Sequence, residues 1–479
     1  MEKFSALKLN RDTKEHLYLQ VYRALKQAIV SGQLISNDKL PPIRELAGLL
    51  HVNNSTIVQA YRELELQGLV IKKVGSGTYV FTETENNDQD LKQIFSEQNN
   101  ELLYKTLEKE DALRINFASG TPSDAYFPVE DFKALINEIL DRDGTKAFSY
   151  EDAQGYEPLR QSLAQWCKAQ KIHCSQEDIQ IISGAQQGLD IVTKALLTHQ
   201  DTVLVEAPTY TGALALLKSK GVQIVELPIL KGKVNMMKLK ELIITHRPKL
   251  FFTMTNLQNP TGFTYSLEEK HQIIDLSKKY GFIVVEDDYA SELTYRVEKL
   301  PSLKSLDASA PLIYIKSFSK VVLPGLRLGF MIVPDYLRER MMVVKHQTDI
   351  STSGLIQRSF DLYLRKGLLE SHTAKVVESY KERYTLLKEA VEAYFPETVY
   401  CAYPDGGANL WFELPEGKSA RELFLLAKSR GILISSGDVF YPTRLVTNTF
   451  RLSVSAIDIR EIPVGIRLLA QVLKEFLQL

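Results

Sequence analysis

Lys320 closes the stretch Ser317-Phe318-Ser319-Lys320 and is followed by Arg327 in Pro324-Gly325-Leu326-Arg327-Leu328-Gly329. An amine nucleophile, a hydroxyl and a permanently charged guanidinium this close together can bond an aldehyde as a Schiff base while holding a phosphate dianion. That is the chemistry a pyridoxal phosphate site needs. Any single lysine is more often a solvated surface charge, so the reading depends on companions elsewhere in the chain.

The companions stand upstream, each just after an apolar run. Ile283-Val284-Val285 leads into Glu286-Asp287-Asp288-Tyr289, and such a run predicts a buried strand of a parallel sheet. Ligands of open α/β sheets sit beyond the carboxyl ends of the strands, which is where Asp287 falls. A carboxylate there can pair with a pyridine nitrogen and keep it protonated, so that the ring becomes an electron sink. Tyr289 and Asn259, the latter in Asn259-Pro260-Thr261-Gly262 after Leu250-Phe251-Phe252-Thr253-Met254, can both reach the ring's phenolic oxygen. Ser183-Gly184-Ala185-Gln186-Gln187-Gly188 lies between Ile179-Gln180-Ile181-Ile182 and the helical spacing Leu189, Val192, Leu196. Strand, small-residue turn and helix start form a phosphate cradle. Tyr210, after Thr202-Val203-Leu204-Val205, offers an aromatic face for stacking.

Taken singly, these motifs have plainer readings as a turn, a helix start or a helix cap. In this order they resemble the fold type I, class I aminotransferase family over roughly residues 113–479. The resemblance implies an α/β fold with a large, mostly parallel sheet domain and a smaller C-terminal domain. It also implies roles: Lys320 bonds the cofactor, Asp287 meets the pyridine nitrogen, Asn259 and Tyr289 bind the phenolic oxygen, and Tyr210 stacks. Ala185, Gln186, Ser317 and Arg327 take the phosphate. Tyr150, in Phe148-Ser149-Tyr150-Glu151-Asp152, matches a tyrosine that crosses a dimer interface to the partner's phosphate. Arg451, in Phe450-Arg451-Leu452-Ser453, matches the arginine that holds a substrate carboxylate in bidentate fashion. Ala185 departs from the Ser or Thr common at its position, which removes a hydroxyl contact and leaves the backbone donors.

The chain has 479 residues, enough for two or three domains, and its 44% hydrophobic content excludes a disordered polymer. No apolar run reaches the roughly 18 residues of a membrane span. Met1-Glu2-Lys3-Phe4-Ser5-Ala6-Leu7-Lys8 lacks an apolar signal core, so a cytoplasmic location is expected. Cys167, Cys174 and Cys401 have no metal-ligand spacing and read as isolated reduced thiols. The net charge of −1 hides an asymmetry: residues 1–81 carry 11 basic and 7 acidic groups, and residues 82–111 carry 3 and 9. A mildly basic head therefore precedes an acidic connector over 82–112, in which Leu91, Ile94, Phe95, Leu102, Leu103 and Leu107 could dock short helices.

In the head, Leu17, Val21, Leu25 and Ile29 mark one helical face ending near Gly32. A second helix opens after Pro41-Pro42 at Ile43, and a third follows His51-Val52-Asn53-Asn54 at Ser55, with Asn53 or Asn54 as N-cap. Two helices joined by a short turn make a helix-turn-helix. Leu69-Val70-Ile71-Lys72-Lys73 and Gly77-Thr78-Tyr79-Val80-Phe81, flanking Val74-Gly75-Ser76, predict a hairpin wing. Residues 1–81 thus resemble the GntR-type winged helix-turn-helix, an α/β module. The resemblance implies that Asn54, Ser55 and Thr56 enter the major groove, while Arg44, Lys72, Lys73, Gly75 and Ser76 approach phosphates or the neighbouring groove. Many members of that family carry arginine where Asn54 stands, so base preference should differ here. The plainer reading of Lys72 and Lys73 is a solvated strand edge.

Winged helix, acidic linker and aminotransferase-like domain in this order resemble the MocR subfamily of GntR regulators, to which the GabR-like proteins belong. The resemblance implies a cytoplasmic regulator that binds a double-stranded DNA operator as a homodimer, in head-to-tail arrangement. Its large domain would sense an amine, an amino acid or pyridoxal phosphate itself through imine exchange at Lys320. Two other readings stay open: a working aminotransferase with an appended DNA-binding domain, and an enzyme whose head is a protein-interaction module.

Overall fold

The computed structural model describes residues 9, 11, 16–31, 33–34, 38–67, 69–73, 77–80, 115–443 and 447–479. The chain divides into two compact units, Met1–Asp111 and Ala112–Leu479. The expected connector over 82–112, the wing tip with Gly75 and Ser76, and Gly32 lie outside the described residues.

In the first unit, α1 (Leu17–Val30) buries Val21, Leu25 and Ile29, four residues apart on one face. They pack with Leu46, Ala47 and Leu50 of α2 (Ile43–Leu50) and with Ile57, Ala60, Tyr61 and Leu64 of α3 (Asn54–Leu66). The Tyr61 hydroxyl donates to the Pro41 carbonyl at 2.8 Å and so ties α3 to the turn that opens α2. His51 takes the left-handed conformation (φ 52°) that reverses the chain after α2. The third helix begins at Asn54, one residue earlier than its hydrophobic pattern predicts; Asn53 holds the N-cap position, but its side chain makes no capping bond. β1 (Val70–Lys73) and β2 (Gly77–Val80) pair antiparallel in the register Lys72↔Thr78, which is the expected wing.

The second unit opens with β3 (Ile115–Asn116). Its central sheet uses β4 (Ile179–Ile182), β5 (Thr202–Ala207), β6 (Gln223–Leu230), β7 (Lys233–Val234), β8 (Leu250–Thr253), β9 (Ile283–Asp288), β10 (Leu312–Ser317) and β11 (Gly329–Ile332). Their spatial order is β4-β11-β10-β9-β8-β5-β6-β7. β11 runs antiparallel to both its neighbours and β7 antiparallel to β6; the remaining ladders are parallel, as a mostly parallel sheet requires. The side-chain period of two sends alternate residues to opposite faces. Phe251, Val284, Tyr314 and Phe330 enter one apolar layer, and Phe252, Val285, Ile315 and Met331 enter the other. Because both faces are covered, the strands read as continuous apolar runs.

A smaller antiparallel sheet, ordered β12-β13-β16-β15, follows. It consists of β12 (Tyr400–Ala402), β13 (Asn409–Glu413), β15 (Ser435–Ser436) and β16 (Thr449–Ser453), while β14 (Ile432–Leu433) pairs in parallel with β3. Cys167, Cys174 and Cys401 are all free thiols, as the sequence reading expects.

Candidate cofactor and effector site

β10 ends at Ser317, and the following turn presents Lys320, whose Nζ donates to the Gly120 carbonyl at 2.6 Å. Burial, followed by the positive charges of Arg451 and Arg327, pulls this ammonium from 10.5 down to about 8. A neutral nucleophilic amine is therefore accessible near physiological pH.

Asp287 lies near the end of the neighbouring β9, 3% exposed, and its Oδ1 has no hydrogen-bond partner among the described residues. Burial, helped by the adjacent Asp288 and opposed by Lys316, lifts its carboxyl from 3.8 to about 7. An orphaned buried acceptor is costly. A pyridinium N–H placed there would satisfy it and restore the ionised carboxylate, so the residues present fit pyridoxal phosphate.

The phosphate end is assembled by sheet register. Ser317 pairs with Gly329, and Gly329 pairs with Ile182, which brings the end of β10 beside the turn after β4. Gly184 caps helix α4 (Ala185–Leu196) at φ 88°, and a Cβ there would stand 2.8 Å from Arg327 Nη2. Only glycine admits that approach. Arg327 Nη2 donates to the Ser183 carbonyl at 2.9 Å, and the first amides of α4, at Ala185 and Gln186, have no intrahelical acceptor by helix geometry. The Gln186 side chain turns away, donating to the Gly212 carbonyl at 3.0 Å, so its contribution to a phosphate is its backbone N–H. The Ser317 hydroxyl accepts from the Ser319 amide at 3.3 Å.

Tyr210 precedes helix α5 (Thr211–Lys220). Burial raises its phenol, the charge of Asp287 raises it further and that of Arg327 lowers it. Tyr150, 82% exposed, is not gathered with these residues in its own chain.

Arg451, in β16, is 8% exposed. Its guanidinium donates to Asn259 Oδ1 at 3.1 Å, to the Ala118 carbonyl at 2.7 Å and to Ser435 Oγ at 3.3 Å, and it lies over the Phe440 ring. No carboxylate pairs with it among the described residues, its Nε has no partner there, and burial lowers it to about 10. It stays charged and ready for an anion. The Tyr289 hydroxyl donates to the Leu257 carbonyl at 2.6 Å, leaving its oxygen free to accept. Lys320, Asn259, Tyr289 and Arg451 line one cavity with Gly120, Leu293, Tyr380, Ala408, Asn409 and Ser455. Those six were not expected from sequence, because they belong to no cofactor motif; a buried Asn opening a strand was the one available signal.

On the opposite face of the sheet, Lys316 is fully buried and pairs with Asp288 at 3.1 Å and Glu292 at 2.6 Å. Asp288 also accepts from the Tyr314 hydroxyl at 2.6 Å and from Ser291 Oγ at 2.8 Å. These bonds and the Lys316 charge keep Asp288 ionised in spite of its burial.

In the head, Arg44, Asn54 and Ser55 are exposed and Thr56 is half-buried at the start of α3. Lys72 is exposed, but its Nζ is held by Glu65 Oε2 at 2.7 Å. Its charge is thus partly neutralised within the head, a local pairing that the strand pattern did not reveal. Lys73 lies in β1 opposite Gly77.

Residues 61–469 match the family "Aminotransferase class I and II", and residues 17–80 match "Bacterial regulatory proteins, gntR family". The chain is 29% identical over 470 residues to the HTH-type transcriptional regulator YdfD of Bacillus subtilis, covering 96% of each protein. It is 25% identical over 437 residues to the probable rhizopine catabolism regulatory protein MocR of Rhizobium meliloti, covering 90% of this chain and 88% of that protein. The crystal structure of LysN, the alpha-aminoadipate aminotransferase of Thermus thermophilus, complexed with N-(5'-phosphopyridoxyl)-L-leucine, superimposes with a TM-score of 0.75 at 30% identity, over 83% of this chain and 100% of that chain. No helix among the described residues is long and apolar enough to cross a membrane. With a lysine, a buried acceptor and a phosphate cradle set into a pyridoxal-phosphate-dependent fold, the chain belongs to the class I and II aminotransferase family and, through its gntR-type DNA-binding head, to the MocR-like regulators.

Proposed function

We propose that this regulator senses an amine-bearing small molecule at Lys320 and transmits its presence to DNA bound by the head. The observation that carries the proposal is the pairing of two unmet demands around one lysine. Asp287 offers a buried acceptor without a donor, and Arg451 offers a buried cation without an anion. The first suits the cofactor, and the second suits the carboxylate of an amino acid.

Bound pyridoxal phosphate supplies an aldehyde for exchange between amines and a ring that stores electrons. The protein's part is positional. Asp287 would hold the ring nitrogen, Asn259 and Tyr289 the phenolic oxygen, Tyr210 would cover a ring face, and Ser317, Arg327 and the first turn of α4 would hold the phosphate. Arg451 orients the incoming carboxylate. Lys320, when not bonded to the cofactor, would be a free amine inside the cleft, able to carry a proton near neutral pH because its ammonium is depressed to about 8. If the two Lys320 states favour different domain arrangements, the effector shifts the DNA-bound population. Exposed Tyr150 and Phe148 (82% and 70%) suit a homodimer in which Tyr150 reaches the partner's phosphate. In the head, the α3 start and Arg44 would meet the operator.

The same depressed Lys320 also favours a second reading, an aminotransferase that completes turnover. An assay of amino acids with a keto-acid acceptor separates the two. A sensor shows effector-dependent gel shift without keto-acid consumption, whereas steady turnover with DNA binding indifferent to amino acids would establish the enzyme instead.

A further inference from the structure

Asn409 opens β13, is 7% exposed, and lines the cavity that holds Lys320 and Arg451. Its Oδ1 has no hydrogen-bond partner among the described residues. Its carbonyl oxygen is thus a buried acceptor left unpaired in a residue of that cavity. Besides Gln186 Oε1 at the phosphate end, three side-chain atoms of the candidate site lack a partner among the described residues: Asp287 Oδ1, Arg451 Nε and Asn409 Oδ1.

The first two are answered by the cofactor's ring nitrogen and the effector's carboxylate. The third is not. An α-amino acid spends its amine in the exchange at Lys320, and its carboxylate is an acceptor with no proton to give. Within the effector itself, the remaining source of a donor is the side chain. The surrounding wall is compatible with a short polar group, since Tyr380 and Ser455 stand beside the small Ala408.

We propose that Asn409 is a specificity-determining residue that selects amino-acid effectors bearing a side-chain hydrogen-bond donor, a hydroxyl, amide or second amine. The proposal rests on the amino-acid sensor reading given above. A site built to bond such a donor disfavours analogues lacking it, because the acceptor is then left buried and unpaired.

The test uses the full-length protein loaded with pyridoxal phosphate, titrated with near-isosteric pairs: L-serine against L-2-aminobutyrate, L-threonine against L-valine, and L-glutamine against L-norleucine. Cofactor absorbance reports binding. At least one donor-bearing member is expected to bind about tenfold or more tightly than its isostere, and Asn409→Leu is expected to bring that ratio within about threefold of unity. Equal affinities within every pair, or a ratio that survives Asn409→Leu, would overturn this proposal and leave the sensor reading standing. Absence of any spectral response across the panel would overturn both. If Asn409→Leu fails to fold, the parent protein's own ratios decide the matter.

Discussion

Arg451 Nη1 donates to Asn259 Oδ1 at 3.1 Å, so the group proposed for the effector's carboxylate touches the group proposed for the cofactor's phenolic oxygen. A carboxylate drawing on Arg451 changes what Asn259 feels. Arg451→Gln is therefore expected to lower amino-acid affinity by roughly 1.5–3 kcal/mol, the range for a hydrogen bond to a charged group, and to move the cofactor absorbance slightly. DNA binding without effector should be unchanged in a gel shift. If the variant answers its effector as the parent does, a plain amine or pyridoxal phosphate itself becomes the better candidate.

The depressed ammonium of Lys320 sets a pH profile. Below about 8 the group is protonated and cannot attack; above it the amine is free. Capture of pyridoxal phosphate by cofactor-free protein should accelerate with pH and level off above a midpoint near 8, followed by stopped-flow absorbance. A midpoint close to the ordinary 10.5 would contradict the burial argument. Borohydride reduction and peptide mass analysis should place the adduct on Lys320, and Lys320→Ala should abolish it.

Asp287 gives the opposite sign in stability. Its folded pKa of about 7 exceeds the ordinary 3.8, so without cofactor the folded state holds the proton more tightly than the unfolded state. The resulting stabilisation is full below 3.8 and is lost as pH rises through about 7. Cofactor-free Asp287→Asn should melt with a shallower pH dependence across that window. The same variant should bind pyridoxal phosphate at least about tenfold more weakly, since a neutral amide cannot balance a pyridinium charge. A parent melting temperature flat across the window would refute the assignment.

At the head, Glu65 pairs with Lys72, one of the residues proposed to meet DNA. Glu65→Gln should strengthen binding to all sequences and steepen the dependence on salt by up to about one unit, whereas Lys72→Ala should flatten it by about one unit or less. Ser55→Ala and Thr56→Ala should instead change which sequence is preferred. Unchanged affinity after Arg44→Ala together with Lys72→Ala would count against groove docking.

What the sequence made legible follows from the range of each signal. Asp287 sits at the end of an apolar strand and Asn259, Tyr210 and Lys320 a few residues past one, and the α4 turn carries its own glycine, so local pattern and chain order suffice to place them. Gly120, Asn409 and Ser455 reach the cavity only through long-range pairing, such as Asn409↔Ser453 between β13 and β16, which leaves no local trace. The head shows the same division. Its helices and wing follow from periodicity, while the Lys72–Glu65 pair and the unused Asn53 cap depend on side-chain geometry.

The buried trio of Lys316, Asp288 and Glu292 works like the rear plate of a capacitor whose front plate is Asp287. Asp288 pushes the Asp287 proton affinity up and Lys316 pulls it down, across the thickness of one sheet. Exchange of Lys316 for a neutral residue would therefore retune the cofactor's ring nitrogen from behind, without altering a single atom that faces the ligand. Variation in responsiveness among chains with identical cavity linings can originate in such a hidden layer.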